Sequence, residues 1–202
     1  TAAGRLDKVV APTSLLESDR VNEKMQARVL LKPECLQKTG SFKLRGAYNK
    51  IASLTDAERA AGVVAFSSGN HAQGVAAAAK ALGVRATVIM PEDAPLIKQR
   101  NTREYGAEVI LYDRYTESRE ELARITMEES GAILVPPYDD HEIMAGQGTV
   151  GLELAHQLEE IDVVAEHLIC PAGGGGLIAG ISTAFSKLSP ATKIYSAEPE
   201  NF

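Results

Sequence analysis

Lys43 lies in the run KTGSFKLRGA, residues 38–47, just after a Thr-Gly-Ser turn and among the first residues of an apolar helical stripe. A solvated lysine beside a cap explains that placement, and so does an amine set to form a Schiff base, for which burial must keep it neutral. A second candidate is SSGNHAQG, residues 67–74, at the join of an apolar run and a helix. It gathers hydroxyls, an amide and backbone donors at a helix N-terminus, which suits a carboxylate. Alone, it reads more simply as a cap in which Asn70 or Ser68 satisfies the first-turn amides. The third is PAGGGGLIAG, where a strand-like run enters Gly173, Gly174, Gly175 and Gly176 and passes directly into a helix. Consecutive glycines let backbone N–H groups approach an anion, and the helix dipole adds to the attraction, so a phosphate fits. The bland alternative is a turn needed only for strand-helix packing.

Phosphate does not identify a cofactor. Gly174-x-Gly176-x-x-Ala179 also satisfies the alanine form of the dinucleotide fingerprint, with Glu198 at the end of the next predicted strand as the ribose partner. On that reading the chain is an NAD-dependent oxidoreductase, and the loop by itself leaves both open.

The elements that must position these groups follow from periodicity. Short β-rich runs (VVAFSS, ATVIMP, AEVILY, AILVPP) alternate with helical patterns, and EHLICPA, GGGGLIAGISTAFSKL and TKIYSAEP repeat that order. The alternation predicts an α/β fold with parallel strands and crossover helices. Residues 136–149, with two prolines, an acidic turn and two glycines, read as a hinge before a helix VGLELAHQLEE. The expected organisation is a large domain in two segments, 1–60 and 139–202, with a small α/β domain inserted at 61–138.

Composition limits the partners. A chain of 202 residues, 45% hydrophobic, can bury one sizeable core or two smaller lobes. A net charge of −6 without a Lys/Arg stripe argues against nucleic acid. No apolar run reaches the ~18 residues of a membrane span, and the first residues lack the order of a secretory signal. Cys35 and Cys170 are far apart and suggest neither a zinc site nor a disulfide framework, which fits a reduced cytoplasm. HEIMA at His141 is not HExxH, no GxSxG occurs, and His156 and His167 have no ligand partners in sequence.

Taken together, KTGSFKLRGA, SSGNHAQG, AGQGT and PAGGGGL resemble, in order and approximate spacing over nearly the whole chain, the pyridoxal-phosphate threonine/serine dehydratase family. Serine racemases and 3-hydroxyaspartate dehydratases are similar. The resemblance implies a two-lobed, tryptophan-synthase-β-like fold and the cofactor pyridoxal 5'-phosphate, with Lys43 as the Schiff-base lysine. It also makes Gly173, Gly174, Gly175, Gly176 and Leu177 the phosphate cradle, Asn70 the partner of the cofactor's phenolic oxygen, and Phe42 a neighbour of its ring. Ser67, Ser68, Gly69 and His71 would surround the substrate carboxylate. The implied reaction is β-elimination from L-threonine or L-serine to a 2-oxo acid and ammonia, with Lys43 as the base that takes the α-proton.

Ser68 departs from the alanine of many dedicated threonine dehydratases and matches serine racemases, which makes it a second candidate acid/base on the face opposite Lys43. YDRYTESREE, residues 112–121, is similar to the matching segment of hydroxyaspartate-acting members, so Arg114 or Arg119 could meet a second carboxylate, although the run reads more simply as a solvated helix start. Glu198 matches a divalent-cation (Mg or Ca) ligand of racemase-like relatives, whose further ligands would lie past Phe202. The resemblance further implies a homo-oligomer, dimer or tetramer. Family members continue well past this length, so the C-terminal part of the larger lobe is expected to be missing, and a noncatalytic binding fragment stands as the alternative to an enzyme.

Overall fold

The computed structural model describes residues 1–200. The chain opens with helix α1 (Ala2–Leu6), strand β1 (Leu16–Glu17), helix α2 (Asp19–Met25) and strand β2 (Leu30–Leu31), then a single 3-10 turn at Glu34–Leu36. Helices α3 (Lys43–Ser53) and α4 (Asp56–Ala61) follow. Next comes a regular alternation of β3 (Val63–Phe66), α5 (Asn70–Leu82), β4 (Ala86–Pro91), α6 (Leu96–Glu104), β5 (Glu108–Tyr112), α7 (Arg119–Ser130) and β6 (Ile133–Leu134). The chain then forms α8 (His141–Glu160), β7 (His167–Pro171), α9 (Gly176–Leu188) and β8 (Lys193–Ala197).

The α/β class expected from the alternation is what the structure contains. Strands β5-β4-β3-β6 form a parallel sheet, with Val63 opposite both Ala86 and Ile133 and Val88 opposite Val109. Its central strands are buried on both faces, as parallel strands under crossover helices must be. Val63, Ala65, Val88 and Met90 point into one core with Leu44, Ile51, Ala72 and Val75. Their neighbours Val64 and Ile89 point into another with Tyr112, Ala123 and Ala132. The period of two thus feeds α3 and α5 on one side and α7 on the other. All four strands lie within residues 63–134, while the antiparallel pair β1–β2 and the parallel pair β7–β8 come from the flanking segments.

One expected boundary is corrected. Gly146 and Gly148 do not precede a helix: α8 starts at His141 and runs unbroken to Glu160, with both glycines inside it. They are there for close approach. A Cβ on Gly146 would lie 2.6 Å from the Arg45 carbonyl oxygen of α3, and one on Gly148 would lie 2.9 Å from the Gly180 carbonyl oxygen of α9. Small residues bring three helix backbones together, and the irregular segment between sheet and helix shrinks to residues 135–140.

On the side of α3 away from Lys43, Arg45 is 1% exposed and forks onto Glu34, with Nε and Nη2 each donating at 2.8 Å. Its Nη2 also reaches Glu153 of α8 at 2.9 Å, and Lys32 pairs with the same carboxylate. Two cations and two carboxylates therefore tie the N-terminal segment to α3 and α8. Among the described residues no helix is long and apolar enough to cross a membrane.

Candidate active site

Three helix starts supply the site. Strand β3 ends at Phe66 and the chain turns through Ser67 and Ser68 into α5, whose N-cap is Gly69. No side chain caps that helix; the Ser67 hydroxyl accepts from the Gly69 amide at 3.2 Å instead. The simple capping role for Asn70 or Ser68 is therefore not what this turn does, and no side chain occupies the first-turn amides. Helix α9 begins the same way on Gly175, which holds φ at +81°, a region L side chains rarely adopt, again without a side-chain cap. Lys43 is itself the first residue of α3.

Helix α5 reaches the lysine through Gly74, where a Cβ would lie 3.0 Å from the Lys43 carbonyl carbon. Residues 135–140 then cross between the helix starts like a strap. The Val135 carbonyl meets His71 Nε2 at 2.8 Å, and Lys43 Nζ donates to the Pro137 carbonyl at 2.6 Å. Tyr138, the next residue, lies on the glycine run: Cβ atoms on Gly174 and Gly176 would fall 2.1 Å from its Cδ1 and 3.0 Å from its Cα. One peptide of the strap thus separates the group that holds the lysine amine from the group that touches the glycine loop. The strap is fixed beyond Tyr138 by Asp140, which caps α8 through the amides of Glu142 and Ile143 and pairs with Lys50 at 2.6 Å.

Burial pushes the Lys43 amine down from its ordinary value. Its Nζ also lies 5.2 Å from the centre of the Phe42 ring. His71 is buried and lowered to about 4, chiefly by desolvation; the Val135 contact opposes the shift and the Lys43 charge reinforces it. A carbonyl can only accept, so the neutral ring carries its hydrogen on Nε2, and Nδ1 is left as a buried acceptor with no protein partner. In that form the ring has no donor for a carboxylate, and the donor His71 offers at the turn is its backbone N–H.

The remaining candidates are spread around this centre. Ser68 and Asn70 are exposed, Ser67 and Gly69 half-buried, and the Asn70 Oδ1 accepts from Lys98. Gly173 and Gly175 would have nothing within 4 Å of an added Cβ, so the cradle is open at both. Leu177 packs below it against the core of Val150, Ile181 and Phe185. Arg114 is held on the surface by Asp93 at 2.6 Å, and Arg119, exposed and paired with Glu120 at 2.7 Å, lies over the Phe66 ring at 5.3 Å, beside the serine turn. Glu198 is exposed, and no group of three or more His, Cys, Asp or Glu able to hold a metal occurs among the described residues. Tyr138 and the Arg45 cluster escaped the sequence reading.

These residues fit a phosphate-bearing aldehyde: an open glycine run at a helix start, a lysine amine made less basic by burial, and an uncapped turn with free donors all converge on residues 135–138. The comparisons point the same way. The model of the pyridoxal-phosphate dependent enzyme family matches residues 6–202. The chain is 46% identical to the L-threo-3-hydroxyaspartate ammonia-lyase of Saccharomyces cerevisiae, over 98% of this chain and 60% of that protein. It is 47% identical to the L-threonine ammonia-lyase of Thermotoga maritima, over 97% of this chain and 48% of that one. The solved structure of maize serine racemase superposes with a TM-score of 0.93 at 40% identity, covering 98% of this chain and 59% of that one. The chain thus spans about half to three fifths of the length of these relatives. With the family match running over residues 6–202, nearly the whole chain and both lobes, the chain belongs to the pyridoxal-phosphate-dependent enzyme family.

Proposed function

We propose that the protein is an ammonia-lyase that eliminates the β-hydroxyl of L-threonine or L-serine as water and, once a water molecule hydrolyses the resulting enamine, releases ammonia and a 2-oxo acid. The observation that carries this reading is the adjacency of the Lys43 amine and the glycine loop, bridged by Pro137 and Tyr138. The amides of residues 173–177 would hold the cofactor phosphate, Asn70 its phenolic oxygen and Phe42 the side of its ring. When bound there, the cofactor acts as an electron sink that makes the substrate's α-proton acidic. The uncapped turn at Ser67, Ser68, Gly69 and His71 orients the substrate carboxylate, and Lys43 Nζ, made less basic by burial, accepts the α-proton.

Two finer activities are favoured by particular residues. Arg119 beside Phe66 favours a substrate with a second carboxylate, as in 3-hydroxyaspartate. The exposed Ser68 hydroxyl favours racemisation as a second activity. The reading includes the 1–60, 61–138 and 139–202 organisation, a homo-oligomer, and a cytoplasmic setting in which Cys35 and Cys170 remain unpaired thiols. Glu198 gains no second ligand among the described residues, so no cation role is assigned to it.

The test is to incubate the full protein with pyridoxal phosphate, reduce with borohydride and map the labelled peptide. Stoichiometric label on Lys43, followed by 2-oxo acid formation from L-threonine, L-serine or 3-hydroxyaspartate, supports the proposal. Scattered label would sink it.

A further inference from the structure

We infer that Tyr138 is a positioning residue for the phosphate cradle, a wedge that sets the second and fourth glycines of the run while its own neighbour holds the catalytic lysine. The four glycines are not equivalent. Gly173 and Gly175 face open space, so nothing in the protein forbids a side chain there except the φ of +81° at Gly175. Gly174 and Gly176 both face Tyr138, but different parts of it. An added Cβ at 174 would meet the ring, at 2.1, 2.3 and 2.4 Å from Cδ1, Cγ and Cε1. At 176 it would meet the Cα, Cβ and carbonyl oxygen of the same residue, at 3.0, 3.1 and 3.1 Å.

The ring is not free to swing away with its backbone. Upstream, the strap is held by His71 at the Val135 carbonyl and by Lys43 at the Pro137 carbonyl. Downstream, Asp140 fixes it to the first turn of α8 and to Lys50. A residue clamped on both sides and laid against alternate glycines transmits the position of the strap to the loop. If it only covered apolar surface, its loss would lower stability without touching cofactor affinity.

This inference rests on the cofactor reading above, and a mutant cycle on the full protein separates the two. Pyridoxal phosphate is titrated against each variant by visible absorbance, with the melting temperature measured alongside. Tyr138→Phe should bind as the parent does, and Tyr138→Ala should raise the cofactor Kd about tenfold. Gly174→Ala should raise it about a hundredfold in the parent but no more than about threefold in the Tyr138→Ala background, because the clash is with the ring. Gly176→Ala should stay damaging in both backgrounds, because its clash is with backbone that the Tyr138→Ala change leaves in place. Equal penalties for Gly174→Ala in the two backgrounds would overturn the role of Tyr138. So would an unchanged Kd in Tyr138→Ala, a variant that suffices if Gly174→Ala does not fold. Failure of the parent to bind pyridoxal phosphate would instead remove the cofactor reading and the inference together.

Discussion

The helices of this protein begin in two ways. Helices α4, α7 and α8 start on Thr55, Ser118 and Asp140, each of which accepts a hydrogen bond from a first-turn amide, and Thr55 completes a reciprocal box with Glu58. Helices α5 and α9 start on Gly69 and Gly175, with no side-chain cap. Ser18 at the head of α2 also makes no cap bond, so a missing cap alone identifies nothing. What sets α5 and α9 apart is that each directly follows a strand of a parallel sheet and begins on a residue with no side chain to satisfy its amides. A cap contributes about 1 kcal/mol, and a start that forgoes it keeps its donors for something other than the chain.

If the open starts serve the lysine, removing the amine should produce the largest effect. Lys43→Ala is expected to lower kcat by about 10³-fold or more, in line with the loss of a positioned acid/base. Residual turnover near the parent rate would dissociate the open starts from catalysis. The pH profile sharpens this. The amine acts as a base, so kcat should rise with pH through the lowered Lys43 pKa and level off below the usual lysine range. An inflection at the ordinary lysine value would mean the amine is not buried during turnover.

His71 gives the next largest effect, on stability. Its folded pKa of about 4 lies below the ordinary 6.5, so between those values the unfolded chain binds a proton that the folded chain refuses. Stability from the neutral ring is therefore complete above pH 6.5 and lost as pH falls toward 4, by up to about 3 kcal/mol. His71→Asn should flatten the dependence of unfolding free energy on pH in that window. An unchanged slope would assign the acid sensitivity to other groups.

The open starts were legible in the sequence because glycine and strand-to-helix periodicity are local signals. The same glycines misled at α8. Gly146 and Gly148 read as punctuation, yet they sit in a continuous helix where the backbones of α3 and α9 come too close for a side chain. Only the neighbouring helices, far away in sequence, reveal that. Arg45 was hidden for a related reason: its carboxylate partners stand 11 and 108 positions away, and no window on the chain contains all three. Tyr138 has no local signature either, since a tyrosine after two prolines acquires its role only when the glycine run folds against it. Strands β1 and β2 are two residues each, too short for any period to register.

Adding charge to an open start tests what it is open for. Gly173 is not among the residues with positive φ and has open space for a Cβ, so Gly173→Asp introduces a carboxylate without a Cβ clash. Beside a bound phosphate, two like charges would raise the cofactor Kd about a hundredfold, while the melting temperature stays near the parent's. Gly173→Ala, with no charge, should bind almost normally. Equal losses in the two variants would mean that shape, not an anion, governs the loop.

The smallest effect belongs to a closed start, and it should be of a different kind. In Thr55→Ala, α4 loses the hydroxyl that accepts from the Glu58 amide at 3.3 Å, while the Glu58 carboxylate still accepts from the amide of residue 55, a bond of 2.7 Å in the parent. The expected cost is about 1 kcal/mol of unfolding free energy, measured by denaturant titration. Cofactor Kd and substrate KM should not move, because nothing binds at α4 except its own cap. A shift in either constant would mean that capped starts also communicate with the site, and the division between helices closed by their own residues and helices left open for a ligand would lose its meaning.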